Sequence, residues 1–139
     1  MPETRLRSRL LQEAGEALKN AYAPYSGYRV GAALITRKGR VFTGCNVENV
    51  SYGLTICAER AAVCAAVAAE GPEMRVRALA VVSDTAVPLA PCGACRQVIL
   101  EFGEDAALIF QGPDGLTERA LGELLPLGLQ LPEDRGGKD

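Results

Sequence analysis

Between Thr4 and Tyr22, apolar residues recur at Leu6, Leu10, Ala14, Ala17, Leu18 and Ala21. This three-and-four spacing lays one stripe of a helix against a core. Pro24, Ser26 and Gly27 break it, and Tyr28–Thr36 and Arg40–Asn46 read as two strands of a hairpin, turning over Lys38-Gly39. Asn46–Thr55 has no periodicity and reads as a loop. Cys57–Glu70 is rich in Ala and stops at Gly71-Pro72, which predicts a second helix, small-sided, closely packed and largely buried. Val76–Ser83 is an uninterrupted apolar run, the pattern of a strand with parallel neighbours and both faces covered. A loop with Pro88 and Pro91 leads into a third helix from Cys92 to about Gly103. Ala106–Phe110 reads as a short strand, Gly112-Pro113-Asp114-Gly115 as a tight turn, and the rest as a last strand, a short helix around Leu121–Leu125 and a polar tail. The order α-β-β-α-β-α-β-β predicts an α/β fold, a mixed sheet with helices on both faces.

At 139 residues the chain is sized for a single domain, taken as residues 1–132 with a polar C-terminal tail over 133–139. The net charge is −2 and no window is dominated by Lys or Arg, which argues against a nucleic-acid partner. The longest apolar run, Ala61 to Ala69, is far below the roughly 20 residues that span a bilayer, so no membrane partner is expected. The N-terminus alternates Arg and Leu without a hydrophobic signal core, so a cytoplasmic location is expected. Five Cys in such a compartment serve as metal ligands, nucleophiles or small apolar groups more often than as disulfides. The absence of any His removes the commonest general base and the commonest metal ligand together.

Chemistry therefore falls to the thiols. Pro91-Cys92-Gly93-Ala94-Cys95 places two sulfurs at i and i+3 on the first turn of a helix, where both can grip one ion. The same C-G-x-C also suits a metal-free dithiol oxidoreductase with a low-pKa nucleophile. Cys57 lies 35 residues upstream of Cys92 at the start of another helix, and a strand-and-loop connection brings two such helix starts to one sheet edge. Glu59, two residues on, is placed to reach an open fourth coordination position, the layout of a catalytic zinc site with three protein ligands. Cys64 is seven residues along the same helix from Cys57, roughly 10 Å away, so it cannot share the ion and is assigned to core packing. Cys45 is read as structural, with a closed four-ligand zinc module as the rival in which it would serve as the fourth ligand. Three thiolates on Zn²⁺ carry a net negative charge, which two helix N-termini are available to offset, as is Arg60 if it donates a hydrogen bond to a thiolate; the other reading of Arg60 is a surface charge. Arg96 and Gln97, just beyond Cys95, are either ligand-orienting groups or ordinary helix surface.

Cys57-Ala58-Glu59-Arg60 followed by Pro91-Cys92-Gly93-Ala94-Cys95-Arg96-Gln97 resembles the cytidine deaminase family in its small homotetrameric form with a three-Cys zinc site. The likeness runs in order from Ala23-Pro24-Tyr25-Ser26 through Val30-Gly31-Ala32-Ala33-Leu34 and Gly44-Cys45-Asn46-Val47-Glu48-Asn49 to Glu101-Phe102. It implies a three-layer α/β/α sandwich around a five-stranded mixed sheet, and hydrolytic conversion of cytidine or deoxycytidine to the uridine counterpart with release of ammonia, in pyrimidine salvage. It implies one Zn²⁺ per chain on Cys57, Cys92 and Cys95, with Glu59 moving protons between water, ring N3 and the departing amine, and Arg60 supporting the centre. Asn46 and Glu48 are implied to bind the ribose, backbone groups around Ala58 to read the base, Tyr28 to stack on it, and Tyr52 to reach a neighbouring subunit's site. A homotetramer with shared active sites follows from this likeness. Three departures concern the pocket: Tyr28 stands where the family has Phe, Val50 where Ala is common, and Leu127 or Leu129 where a C-terminal aromatic is expected. They leave open a related aminopyrimidine-nucleoside deaminase of the blasticidin-S type; a nucleic-acid editing deaminase fits less well, for want of a basic surface.

Overall fold

The computed structural model describes residues 2–85 and 87–131; the tail expected over 133–139 lies outside them. Helix α1 (Thr4–Leu18) buries Leu6, Leu10, Ala14 and Leu18, the stripe that its sequence spacing predicts. It stops short of Tyr22. The Tyr22 N–H donates to Asn46 O and the Tyr22 carbonyl accepts from Glu48 N–H, so an extended bridge to Val47 claims the backbone groups that a longer helix would use.

Strands β1 (Val30–Thr36) and β2 (Val41–Cys45) form the antiparallel hairpin, with Gly39 at φ 87° in its turn. β1 begins two residues later than its sequence suggests, because side chains rather than a neighbouring strand satisfy the backbone around Tyr28, as described below. Helix α2 (Ala58–Glu70) follows, then β3 (Val76–Ser83), α3 (Gly93–Leu100), the hairpin β4 (Ala107–Gly112) and β5 (Gly115–Ala120), and the short α4 (Leu121–Leu124).

The five strands form one mixed sheet in the order β2-β1-β3-β4-β5. β3 lies at its centre, parallel to β4 but antiparallel to β1, so the parallel setting predicted for it holds on one side only. Its side chains feed two cores. Leu79 and Val81 join α2, α3 and α4 residues on one face, while Ala78 and Ala80 join the α1 stripe on the other. The result is the three-layer α/β/α sandwich. Two glycines set how closely the helices seat: a Cβ on Gly31 would stand 2.0 Å from Ala14 O, and one on Gly44 would stand 2.5 Å from Ala62 N and 2.6 Å from Ala58 O. Gly44 lies next to Cys45 at the end of β2, so this contact fixes the start of α2 against the sheet.

The contact also decides which face of α2 is buried. Ala58, Glu59, Ala62, Val63 and Ala66 are buried, whereas Cys64 is exposed, contrary to its assignment to the core. Cys64 lies two positions beyond Ala62, about 200° around the helix, on the opposite face. No helix among the described residues is long and apolar enough to cross a membrane.

Candidate active site

Two helix N-termini meet at one end of the sheet. Cys57 is the N-cap residue of α2, Cys92 the N-cap of α3, and Cys95 is buried on the first turn of α3. Both caps are extended in backbone, which ends the preceding loop and starts each helix, whose first-turn N–H groups have no intrahelical acceptor. The three Sγ atoms lie within 4.8 Å of one another, and Cys92 Sγ is 3.5 Å from Cys95 Sγ. Three sulfurs on a tetrahedral ion with Zn–S bonds of 2.3 Å would be about 3.8 Å apart, so the cluster has the size and the soft donor set that zinc requires. Among the described residues neither Cys45 nor Cys64 joins this group, which removes the closed four-thiol alternative. A third thiol beside the C-x-x-C pair also sets the site apart from a simple dithiol.

Arg60, one turn into α2, places Nη2 3.4 Å from Cys57 Sγ and 3.3 Å from the Thr55 carbonyl. A hydrogen bond from the Cys95 thiol and then the Arg60 guanidinium hold Cys57 down at about 5, against the opposing effect of burial. Cys95, as donor to Cys57 and buried, is pushed far up. Arg60 Nε is buried without a hydrogen-bond partner. Replacing Arg60 by Ala is therefore expected to shorten the lifetime of bound zinc against a chelator several-fold, because a thiolate loses its cationic partner. Zinc release followed with a chromogenic chelator checks this, and an unchanged lifetime reduces Arg60 to a surface charge.

Glu59 is 5% exposed. Burial is the main cause that pushes its carboxyl up to about 7; its own backbone N–H opposes the shift, the Cys57 charge adds to it and Arg60 works against it. A carboxyl poised near neutrality both accepts and returns a proton at little cost.

The residues outside the thiol cluster are placed differently from one another. Val47 pairs with Ile56, the residue before Cys57, so the Asn46–Glu48 segment runs alongside the approach to α2. Asn46 is buried, and its side chain already serves the backbone: Oδ1 accepts from Val30 N–H at 2.9 Å and Nδ2 donates to Tyr28 O at 2.8 Å. Glu48 accepts from the N–H groups of Tyr25 and Ser26 and from the Ser26 hydroxyl, bonds that hold its carboxyl below the usual carboxylate range. Tyr28 is 52% exposed. Ala58 is fully buried as the first residue of α2. Tyr52 projects from a single 3-10 turn, 75% exposed, its ring edge-on to Tyr25 at 6.1 Å. Val50 and Leu127 also stand in solvent.

Arg96 and Gln97 orient backbone and not thiols. Arg96 donates to Pro91 O, directly before Cys92, and to Leu124 O, while Gln97 exchanges two hydrogen bonds with Leu129. Sequence spacing does not decide between ligand orientation and helix surface for them, because Leu124 and Leu129, two of their three backbone partners, lie about 30 residues along the chain.

Sheet order, paired helix starts and a three-thiol cluster beside a buried carboxyl together define an α/β/α protein whose Cys57, Cys92 and Cys95 could hold one metal ion. A family model for the cytidine and deoxycytidylate deaminase zinc-binding region matches residues 4–111. The chain is 51% identical over 125 residues to a cytidine deaminase of Mycobacterium tuberculosis, covering 88% of this chain and 90% of that one. It is 47% identical over 122 residues to a cytidine deaminase of Halalkalibacterium halodurans, covering 86% and 91%. Crystal structures of cytidine deaminases from Mycobacterium tuberculosis and Burkholderia pseudomallei superpose with TM-scores of 0.79 and 0.79, at 48% and 46% identity. They cover 90% and 88% of this chain and 98% of each of theirs. This chain belongs to the cytidine and deoxycytidylate deaminase family.

Proposed function

We propose that this chain, as a single domain over residues 1–132, deaminates cytidine and deoxycytidine hydrolytically to uridine and deoxyuridine, in pyrimidine salvage. The observation that carries the reading is the meeting of three thiols from two helix starts with Glu59 buried two residues beyond the first of them. Cys57, Cys92 and Cys95 hold the zinc, which when bound supplies a Lewis acid that makes water a nucleophile near neutral pH. Glu59 takes one proton from the attacking water on its carboxylate and passes it to ring N3; it then takes the second from the new hydroxyl at C4 and hands it to the amine, which leaves as ammonia while the C4 carbonyl forms. Burial keeps bulk water from that carboxyl, so the proton stays on the reaction path. Arg60 and the two helix N-termini counter the charge of the thiolates.

Tyr28 supplies a ring face for the pyrimidine, and backbone groups around Ala58 read its polar edge. Asn46 has one Nδ2 proton left after serving the Tyr28 carbonyl, and Glu48 keeps one lone-pair site on its outer oxygen, so the pair offers a donor and an acceptor to the ribose hydroxyls. Tyr52 completes a neighbouring subunit's site in a homotetramer. The exposed apolar cluster of Tyr22, Val47, Val50, Tyr52, Leu54 and Ile56 beside the site supports such an assembly. Five unpaired thiols are in keeping with a reducing, cytoplasmic compartment.

Ultraviolet assay of the purified, zinc-loaded protein with cytidine, deoxycytidine, cytosine and blasticidin S tests the reading. Turnover of the two nucleosides is expected. A protein with one zinc per chain that leaves both unchanged refutes it, and turnover confined to blasticidin S moves the assignment to that substrate class.

Tyr28→Phe is expected to change KM for cytidine by less than about tenfold, since the ring face remains, whereas Tyr28→Ala removes stacking worth about 1–3 kcal/mol. Steady-state KM values for the two variants check this. A Tyr28→Ala protein with the parent's KM places the base elsewhere.

A further inference from the structure

The segment from Tyr25 to Arg29 has no strand partner, yet four of its five backbone N–H groups, those of Tyr25, Ser26, Tyr28 and Arg29, donate to side chains. Glu48 takes the N–H groups of Tyr25 and Ser26, and the Ser26 hydroxyl, itself donating to Glu48, accepts from Tyr28 N–H at 3.0 Å. Asn46 takes the Tyr28 carbonyl and the Val30 N–H. On the far side stands Asp84, one residue beyond the end of the central strand β3. Its Oδ1 accepts from Arg29 N–H at 3.3 Å, its Oδ2 from Arg29 Nε at 3.0 Å, and its own N–H donates to Arg29 O at 3.2 Å. The Arg29 side chain thus closes a ring with its own backbone through one carboxylate. Tyr28 lies between two anchors, Asn46 just after β2 and Asp84 just after β3. With the Tyr28 side chain half exposed, the bonds on its flanking backbone limit how far the segment that carries it can move.

We propose that Asp84, through its two-pronged bond to Arg29, is a positioning residue that holds Tyr28 in the orientation used for the pyrimidine. The inference rests on Tyr28 being the ring platform of the proposed reaction. Asp84 touches no reacting atom; it fixes the segment on which the platform stands, so its loss acts on binding more than on chemistry.

In the zinc-loaded full chain, Asp84→Ala is expected to raise KM for cytidine about fivefold while kcat stays within about twofold and zinc content is unchanged. Asp84→Asn keeps one acceptor for the Arg29 N–H and is expected to fall between Asp84→Ala and the parent. In the Tyr28→Ala background, Asp84→Ala is expected to add nothing further to KM, the signature of two residues acting through one contact. Amide hydrogen exchange at Tyr28–Val30 is expected to quicken in Asp84→Ala. An unchanged KM in Asp84→Ala, an undiminished effect of Asp84→Ala in the Tyr28→Ala background, or unchanged exchange overturns the proposal. A parent protein without turnover of cytidine refutes the functional reading instead, and the exchange measurement then decides the role of Asp84 by itself.

Discussion

Glu59→Gln is expected to lower turnover of cytidine by at least about 10²-fold while zinc content and nucleoside binding persist. Gln matches Glu in shape and fills the same buried space, but its amide neither accepts the water's proton nor returns one to N3. The fold should not suffer. Glu59 is held in a place that disfavours its charge, as its carboxyl pushed up to about 7 indicates, so a neutral amide there relieves a cost instead of adding one. The thermal midpoint of the variant is expected to equal or exceed the parent's. The decisive comparison is kcat against the dissociation constant for a nucleoside, measured on the same preparation with its zinc quantified. Near-normal turnover would assign the proton transfers to another group, and with no His in the chain there is no obvious substitute.

The second large effect concerns the thiols. Cys57→Ala, Cys92→Ala and Cys95→Ala are each expected to reduce zinc from one per chain to near none and to abolish activity, because two remaining thiols leave a structural deficit that water does not make good. Cys64→Ala and Cys45→Ala are expected to retain both, since neither sulfur belongs to the cluster. The exposed position of Cys64 makes its replacement mild in the single chain. Metal analysis of the five variants, paired with circular dichroism to establish that each is folded, separates loss of a ligand from loss of fold. A Cys64→Ala protein that arrives empty, or any of the first three that keeps a full complement of zinc, overturns the ligand assignment.

Much of the architecture was written in local patterns. The three-and-four spacing of Leu6, Leu10, Ala14 and Leu18 specifies both a helix and its buried stripe, and Gly39 and Gly115 mark turns where the backbone takes φ of 87° and 116°. The number of strands and the two hairpins followed from such signals. The three thiols were legible because each belongs to a short motif at a helix start, where sequence position and three-dimensional position nearly coincide. Their meeting required only that a strand-and-loop connection return the chain to the same sheet edge.

Other features depended on partners remote in sequence. An Ala-rich helix such as α2 has almost as much apolar surface on one side as on the other, so periodicity does not say which face is buried. The approach of Gly44 to Ala58 and Ala62 decides it, and thereby puts Cys64 outside. The antiparallel pairing of β3 with β1 was hidden for a similar reason, since a strand covered on both faces reads the same whichever way its neighbours run. Asn46, Glu48, Arg96 and Asp84 show the same limit for polar groups. A side chain's hydrogen-bonding capacity is local, but its partner is whichever backbone group the strands and helices leave unpaired, and those groups exist only once the sheet has formed. The amino-acid sequence by itself determined the helices, the hairpins and the two short thiol motifs at helix starts, because these depend on neighbours within a few residues. Only the tertiary structure decided the buried face of α2, the direction of the central pairing and the anchoring of Tyr28, because each is settled by contacts between segments that the sequence keeps apart.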